Sequence, residues 1–267
     1  MSLDPIATPD RATRRHLLTT QLRHELQLRY VGSLGGIYWA LLNPVIQVGV
    51  YVILVTVIFR ARIPGAGSRV EYAIFLLSAM AAWLSMQEGL VMSSTALVRH
   101  ADIVRNVVFP LELLPGSAVI ASLISMGVSL TALVVLMVAE GHAVGWSIVC
   151  LPLLLTLQIG LTLGLGLLFS IVTAFLRDFT FILPILLQLL TLLTPIVYSI
   201  DNMPPALRTI TRGNPLFYLL GGYRAVLFGH AWPDWLGLLY VAVVAASLLG
   251  IGLAVFRAAK GYVEAFV

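Results

Sequence analysis

The sequence predicts an all-α membrane protein with six transmembrane helices, and three observations support that prediction. Sixty per cent of the 267 residues are hydrophobic and only 10% are charged, whereas soluble domains carry about 25% charged residues. The mean hydropathy is +0.99. The apolar residues form continuous runs close to the about 20 residues that a spanning helix needs, unlike the short alternating segments of a membrane β-barrel.

Six apolar runs are long enough to cross a bilayer, so the two termini are expected on the same side of the membrane. The predicted spans are residues 37–59, 72–95, 113–139, 147–176, 179–200 and 236–257. Together they form a predicted transmembrane domain of residues 37–260, followed by a cytoplasmic tail of residues 261–267.

Residues 1–36 are predicted to be a cytoplasmic tail that ends in an amphipathic helix at the membrane interface. Within residues 11–30, leucines recur at helical spacing at Leu18, Leu22 and Leu26, while arginines occupy other positions. Such a helix lies flat on an anionic leaflet, with its basic side chains near the headgroups. The region has no apolar core of a cleavable signal peptide, so the first span is expected to direct its own insertion.

The placement of basic residues predicts that both termini are cytoplasmic. Fifteen of the sixteen basic residues are arginines, and five of them precede residue 30. With the N-terminus inside, ten basic residues fall in cytoplasmic segments and six in outer ones, which agrees with the excess of Lys and Arg in cytoplasmic loops. Three arginines near the 60–71 loop oppose this orientation.

A charged island of residues 97–108 separates spans two and three. Its apolar residues recur at helical spacing, which predicts a short amphipathic helix that ends before Pro110. Arg99, Asp102 and Arg105 lie at other positions of this helix. Two interpretations remain open from the pattern alone: a surface helix at the membrane interface, or a docking helix for a soluble protein.

Residues 204–229 are predicted to form an outer re-entrant helical hairpin between spans five and six. The apolar part is too short to span, two prolines suit a helix start, and Gly213-Asn214-Pro215 indicates a turn.

Small residues and prolines predict how two of the spans pack. In span four, Gly160 and Gly164 allow close helix packing. In span five, two prolines lie near threonines that can satisfy the freed carbonyl groups.

Catalytic and nucleic-acid-reading motifs are missing from the sequence. No nucleophile or metal-ligand motif is found, and the only lysine, Lys260, lies outside any phosphate-binding loop, so ATP-driven work would need a separate polypeptide. The only cysteine, Cys150, lies in an apolar run and is expected to be a small core residue. Glu88 is an acid within a predicted span, which marks it as a functional candidate. Two other interpretations remain open: pairing with a hydroxyl group of a neighbouring helix, or a position closer to the membrane interface.

Aromatic side chains are the other polar groups of the predicted spans. Most lie near span ends, where tyrosine and tryptophan favour the membrane interface. Tyr51 is the exception because it lies in the middle of span one. Aromatic rings stack on the apolar faces of sugars, so an aromatic pore lining for a glycan and simple packing both remain open.

Four segments in this order resemble permeases of polysaccharide-exporting ATP-binding-cassette transporters, which serve O-antigen, capsule and teichoic-acid export. They are YVGSLGGIYWALLNPVIQ (30–47), LVRHADIVRNVVFPLELLP (97–115), LRDFTFILPILLQLLTLLTPIVYS (176–199) and GNPLFYLLGGYRAVLFG (213–229). The resemblance covers most of residues 15–260. The arginine-rich 60–69 loop is not a feature that this family would suggest.

The resemblance implies a membrane subunit of the bacterial inner membrane that works as a homodimer above two copies of a separate ATPase. It implies no cofactor in this chain, because ATP and Mg²⁺ belong to the partner. The substrate would be a lipid-linked glycan. The coupling helix maps onto residues 97–108 with Arg99, Asp102 and Arg105. Channel-lining rings map onto Tyr38, Tyr51 and Tyr198.

Three other functions were weighed against an exporter subunit without catalysis. A permease for a drug or small lipid would share the architecture but not this order of motifs. A membrane enzyme acting on a polyprenyl lipid would need clustered acids or histidines, and these are missing. For a proton-coupled transporter Glu88 is the only support.

Overall fold

The computed structural model of the protein describes residues 17, 19–23, 25, 38–53, 69–106, 110–142, 145–196 and 204–266. Over these residues the ordered elements are all helices and no strand occurs, in agreement with the predicted all-α class. Four helical stretches are long and apolar enough to cross a membrane: Val70–Arg99, Leu113–Ala139, Trp146–Phe175 and Trp235–Tyr262.

In chain order the α-helices are α1 (Tyr38–Ile53), α2 (Arg69–Arg99), α3 (Ala101–Asn106), α4 (Leu113–Ala139), α5 (Leu151–Phe175), α6 (Phe179–Leu193), α7 (Pro205–Arg212), α8 (Pro215–Leu227) and α9 (Trp235–Phe266). A 3-10 helix, Trp146–Cys150, leads into α5. Residues 17, 19–23 and 25, called here the N-terminal segment, are also helical.

Four of the six predicted spans are therefore present as helices of spanning length. The predicted first and fifth spans correspond to α1, with 16 residues, and α6, with 15 residues. Both helices are shorter than the about 20 residues that cross a bilayer unaided. Residues 54–59 and 197–200, which would extend them, lie outside the described part of the chain.

Helix ends differ from the limits predicted by hydropathy. The predicted second span covers residues 72–95, but α2 runs from Arg69 to Arg99. The last predicted span ends at residue 257, but α9 continues to Phe266. Backbone hydrogen bonding continues through polar residues at a span's end, so the apolar window marks the membrane-sized part of a helix and not its termini.

Helix α2 lies at the centre of the bundle. Of its most apolar window, 83% is buried within the protein, against 22% for the window of α9. Its Trp83 and Met80 are fully buried, as is Tyr223 from α8. Because α2 faces other helices, it can carry polar residues that a lipid-facing helix would not tolerate.

Helices α5 and α9 approach each other closely through glycines. A Cβ atom added at Gly164 would lie 2.7 Å from backbone atoms of Leu248 and Leu249, and one added at Gly252 would lie 2.7 Å from the Gly164 carbonyl oxygen. At Gly160 an added Cβ would make an ordinary 3.5 Å contact with Ala245. The predicted close packing is confirmed at Gly164, and its glycine partner is on α9.

Candidate functional site

The end of α2 is joined to the N-terminal segment by a buried polar network. The Arg99 guanidinium contacts both carboxylate oxygens of Glu25, with Nη1–Oε2 at 3.3 Å and Nη2–Oε1 at 3.2 Å. His100 Nε2 lies 3.3 Å from Glu25 Oε1 and 3.3 Å from the amide nitrogen of Gln21. The Glu25 side chain is 0% exposed. A buried carboxylate is costly unless it is paired, so this network anchors the N-terminal segment to α2.

Arg99 also donates from Nη2 to the Met92 carbonyl oxygen, at 2.9 Å. Its side chain thus folds back along α2 while it holds Glu25, and it remains 35% exposed. The chain turns at His100, and α3 begins at Ala101. Arg99 therefore fixes the point from which α3 leaves the bundle.

An apolar cluster fills the space beneath α3. Val104 of α3 is 4% exposed and packs in one cluster with Leu97 at the end of α2. Leu17 of the N-terminal segment packs against the same cluster. Its other fully or largely buried members are Ala96, Leu111, Leu114, Leu167, Ile171, Ala174 and Phe256. Leu97 and Val104 of the predicted stripe are both buried here, but Leu97 belongs to α2 and Val104 to α3, so the single helix predicted over residues 97–108 is divided at His100. Val108 lies outside the described residues.

The three predicted coupling residues have different surroundings. Arg99 and Asp102 are both exposed, but Arg99 pairs with the buried Glu25 carboxylate, and Asp102 lies on α3. Arg105 also belongs to α3, but its side chain lies outside the described part of the structure. We call Glu25, Arg99, His100 and helix α3 the junction. It combines a buried ion pair with a short helix that presents at least one charged side chain outward.

Glu88 lies in a polar cleft between α1, α2 and α4, within the membrane-sized part of the bundle. The cleft has a volume of about 110 Å³. Five polar side chains line it besides Glu88: Asn43, Gln47, Ser85, Ser125 and Ser129. Asn43 and Gln47 are exposed, and Glu88 is half-buried. The sequence marked Glu88 alone, because the other five are uncharged residues whose meeting depends on helix packing.

Of the three predicted channel rings, one can be placed. The Tyr38 side chain at the start of α1 is 73% exposed. Tyr51 belongs to α1, but its side chain lies outside the described residues, as does all of Tyr198. The lining of a channel by these three rings therefore stays a prediction.

At the opposite end of the bundle, Arg224 of α8 fastens the helical pair α7–α8 to its neighbours. Its Nη1 and Nη2 donate to the carbonyl oxygens of Pro195, at 3.2 Å, and Ile196, at 2.7 Å. Its guanidinium carbon lies 3.8 Å from the centre of the Phe75 ring. From the sequence, Arg224 is one of the six basic residues expected in outer segments. Its position within an apolar helix was the signal that it needs internal partners.

Helix α6 is tied to α2 by Thr191. The Thr191 hydroxyl accepts hydrogen bonds from Trp83 Nε1, at 2.8 Å, and from Gln87 Nε2, at 3.2 Å, and it donates to the Leu187 carbonyl oxygen at 2.9 Å. Pro184 and Pro195 free the carbonyls of residues 180 and 191, not that of Leu187, so the expected pairing of a threonine with a proline-freed carbonyl stays a prediction. Asn214 caps α8 by accepting from Leu216 N and also donates to Thr194 Oγ1 at 3.0 Å.

Comparison with known proteins identifies relatives along almost the whole chain. The O-antigen export system permease protein RfbA of Myxococcus xanthus is 29% identical over 248 residues, which is 92% of this chain and 93% of that protein. A protein of the same name from Klebsiella pneumoniae is 25% identical and covers 89% of this chain and 90% of its own length. The polysialic acid transport protein KpsM of Escherichia coli is 22% identical over 87% of this chain and 89% of its own length.

Residues 17–228 match the family described as ABC-2 type transporter. This match covers the junction, the cleft and the helices α7 and α8. The chain belongs to that family, and it is therefore a multi-pass membrane subunit of a transporter that is driven by an ATP-binding-cassette ATPase.

Proposed function

We propose that this chain is the permease subunit of an ATP-driven exporter that moves a lipid-linked, O-antigen-like polysaccharide across the bacterial inner membrane. The observation that carries the proposal is the nearly end-to-end match to proteins named as O-antigen export permeases. The polysialic acid transport protein, a more distant relative, is also named for a polysaccharide. The chain itself performs no catalysis under this proposal, and the partner subunit holds ATP and Mg²⁺.

The proposed membrane arrangement has six spans, with α1 and α6 completing the four long helices. Residues extending α1 and α6 would supply the missing length. The N-terminal segment is the end of an interface helix, and residues 204–229, which include α7 and α8, form an outer re-entrant hairpin. Both termini and the junction face the cytoplasm, a placement that the basic residues support.

Two copies of the ATPase dock beneath a homodimer of this chain. Helix α3 contacts the ATPase through Asp102 and Arg105, while Arg99 acts within the chain by holding Glu25. The apolar cluster under α3 supports this division, because it leaves the exposed Asp102 side of the helix for a partner. Movement of the docked ATPase would then reach α2 and the N-terminal segment together.

Deletion of the gene tests the proposed cargo. Loss of surface polysaccharide, with lipid-linked glycan accumulating inside the cell, is the expected result, and the wild-type gene should restore export. Inactivation of the partner ATPase should produce the same phenotype. Unchanged surface polysaccharide in the deletion strain, with no accumulated precursor, would reject the proposed cargo.

Single cysteines in a Cys150→Ala background test the orientation. Cysteine at position 206 should react with a membrane-impermeant thiol reagent in intact cells, and cysteine at position 102 should react only after the cells are opened. The reverse pattern would place the junction outside.

The proposed channel rings are tested by substitution of Tyr51. Tyr51→Leu should slow export at matched protein level, and Tyr51→Trp should preserve it, because only an aromatic ring stacks on a sugar. Normal export with leucine would leave Tyr51 as a packing residue.

A further inference from the structure

The polar cleft around Glu88 gathers six hydrogen-bonding side chains from three helices at membrane depth. Asn43 and Gln47 come from α1, Ser85 and Glu88 from α2, and Ser125 and Ser129 from α4. Hydrocarbon offers no hydrogen bonds, and each polar group left unsatisfied in it costs several kcal/mol. Exposed amides at this depth therefore need water, a polar ligand or another protein surface next to them.

The contacts of the serines show how far the protein satisfies these groups internally. Ser129 Oγ donates to the Ser125 carbonyl oxygen at 3.0 Å, and Ser85 Oγ donates to the Ser122 carbonyl oxygen at 3.0 Å. Both serines donate their hydroxyl protons to the backbone, which leaves each oxygen able to accept a hydrogen bond. The amides of Asn43 and Gln47 supply donors as well as acceptors. The cleft thus offers a mixed set of donors and acceptors, which matches the hydroxyl groups of a carbohydrate.

The charge of the cleft restricts which chain it accepts. Glu88 is an acid, and the other polar side chains that line the cleft are uncharged. A carboxylate in a site of low dielectric repels another anion far more strongly than it does in water. An uncharged polyhydroxyl chain avoids this repulsion and can donate hydrogen bonds to the carboxylate.

We propose that this cleft is a water-filled wall of the transport path that binds an uncharged, hydroxyl-rich chain, and that Glu88 disfavours polyanionic chains. The proposal rests on the proposed export of polysaccharide and narrows it to glycans without acidic groups. Glu88 acts here as a specificity residue and not as a proton carrier.

Charged thiol reagents test the environment of the cleft without any cargo. Ser125→Cys in the Cys150→Ala background, assembled with the partner ATPase in lipid nanodiscs with ATP, should react with small methanethiosulfonate reagents. Relative to a free thiol, the cationic reagent should react about tenfold faster than the anionic one, the lower end of what a charged cleft does to association rates. Glu88→Gln should remove this preference.

Val135→Cys is the matched control on the same helix, because Val135 is an apolar residue of α4 that is 63% exposed. It should react with neither reagent if it faces lipid. A cysteine at position 125 as unreactive as the one at position 135 would overturn the water-filled cleft. Equal rates for the two reagents, before and after Glu88→Gln, would overturn the role of its charge.

Added oligosaccharides test binding directly. Maltoheptaose, an uncharged chain, should protect the cysteine at position 125 from labelling, whereas an oligogalacturonate of equal length should protect it less, and Glu88→Gln should narrow the difference. Protection by neither chain, or equal protection by both, would overturn the glycan-binding assignment. The labelling measurements do not depend on export, so a negative result in them would reject only the proposed role of the cleft. The gene deletion tests the proposed function itself, because an unchanged surface polysaccharide would reject export of that cargo.

Discussion

Arg99 and Glu25 are 74 positions apart in the chain, yet the guanidinium of the first contacts both carboxylate oxygens of the second. The pair joins the N-terminal segment to the end of α2, one residue before the turn into α3. A displacement of α3 would therefore act on both the N-terminal segment and α2. The pair is the structural basis for the first prediction.

Arg99→Gln should destabilise the protein more than the double change Glu25→Gln with Arg99→Gln. The single change leaves a fully buried carboxylate without its main cation, and loss of one partner from a buried pair costs about 3–5 kcal/mol. We expect a smaller loss, about 2 kcal/mol, because Arg99 is 35% exposed and solvent screens exposed charges. Thermal unfolding of the purified protein in detergent measures the difference.

The exposed Arg23 of the N-terminal segment provides the control for this pair. Arg23→Gln removes the same charge from the same element and should leave the melting temperature nearly unchanged. If the double variant is no more stable than Arg99→Gln, the ion pair is not what holds the N-terminal segment.

Gly164→Ala should weaken the packing of α5 against α9, and Gly160→Ala should not. The added methyl at position 164 would meet α9 backbone atoms at 2.7 Å, whereas that at position 160 would make an ordinary contact at 3.5 Å. Overpacking of this kind costs about 1–3 kcal/mol. The two variants add the same methyl group to the same helix, so a comparison of their melting temperatures isolates the close approach. Equal stability of both variants would show that α9 can move aside.

Arg224→Gln should loosen α8 from the end of α6. The change removes two charge-assisted hydrogen bonds to the carbonyls of Pro195 and Ile196 and the contact with Phe75. Hydrogen bonds from a charged group contribute about 1.5–3 kcal/mol each, so we expect a loss of about 3 kcal/mol. Arg224→Lys should recover part of it, because lysine is a cation that can reach one carbonyl but has no planar fork.

Limited proteolysis around residues 204–229 measures this loosening, and Arg212→Gln is the control. Arg212 is an exposed residue at the end of α7 in the same helical pair. Cleavage should increase with Arg224→Gln and stay unchanged with Arg212→Gln. Similar cleavage of both variants would mean that apolar packing alone holds α8.

Several features were predictable because they depend on local composition. Continuous apolar runs identified the membrane class and the locations of α2, α4, α5 and α9, since a bilayer requires a minimum length of apolar helix. Gly213-Asn214-Pro215 predicted the turn that separates α7 from α8, because these residues suit a cap and a helix start. The charged island and its apolar spacing likewise predicted a short helix at the position of α3.

Contacts between distant parts of the chain were not predictable in the same way. Nothing near Glu25 indicates that it is buried, because its partners Arg99 and His100 follow some 74 residues later. Arg224 was expected only as a charge of an outer segment for the same reason: its carbonyl partners, Pro195 and Ile196, follow the end of another helix. The six spans were also predicted without distinction, although the window of α2 is the least apolar among the four long helices; of these four, only the α2 window is mostly buried.

By itself the sequence determined the class of the protein, its long helices and, through four segments in order, its resemblance to polysaccharide-exporting permeases. Those properties reside in runs and motifs whose physics is local: the length of an apolar helix, the residues that cap it and the spacing of its apolar face. Only the tertiary structure decided that Arg99 pairs inward, that Gly164 rather than Gly160 meets α9, and that Glu88 shares a cleft with amides and serines. Helix rotation and register set these relationships, and both arise from the packing of the whole bundle.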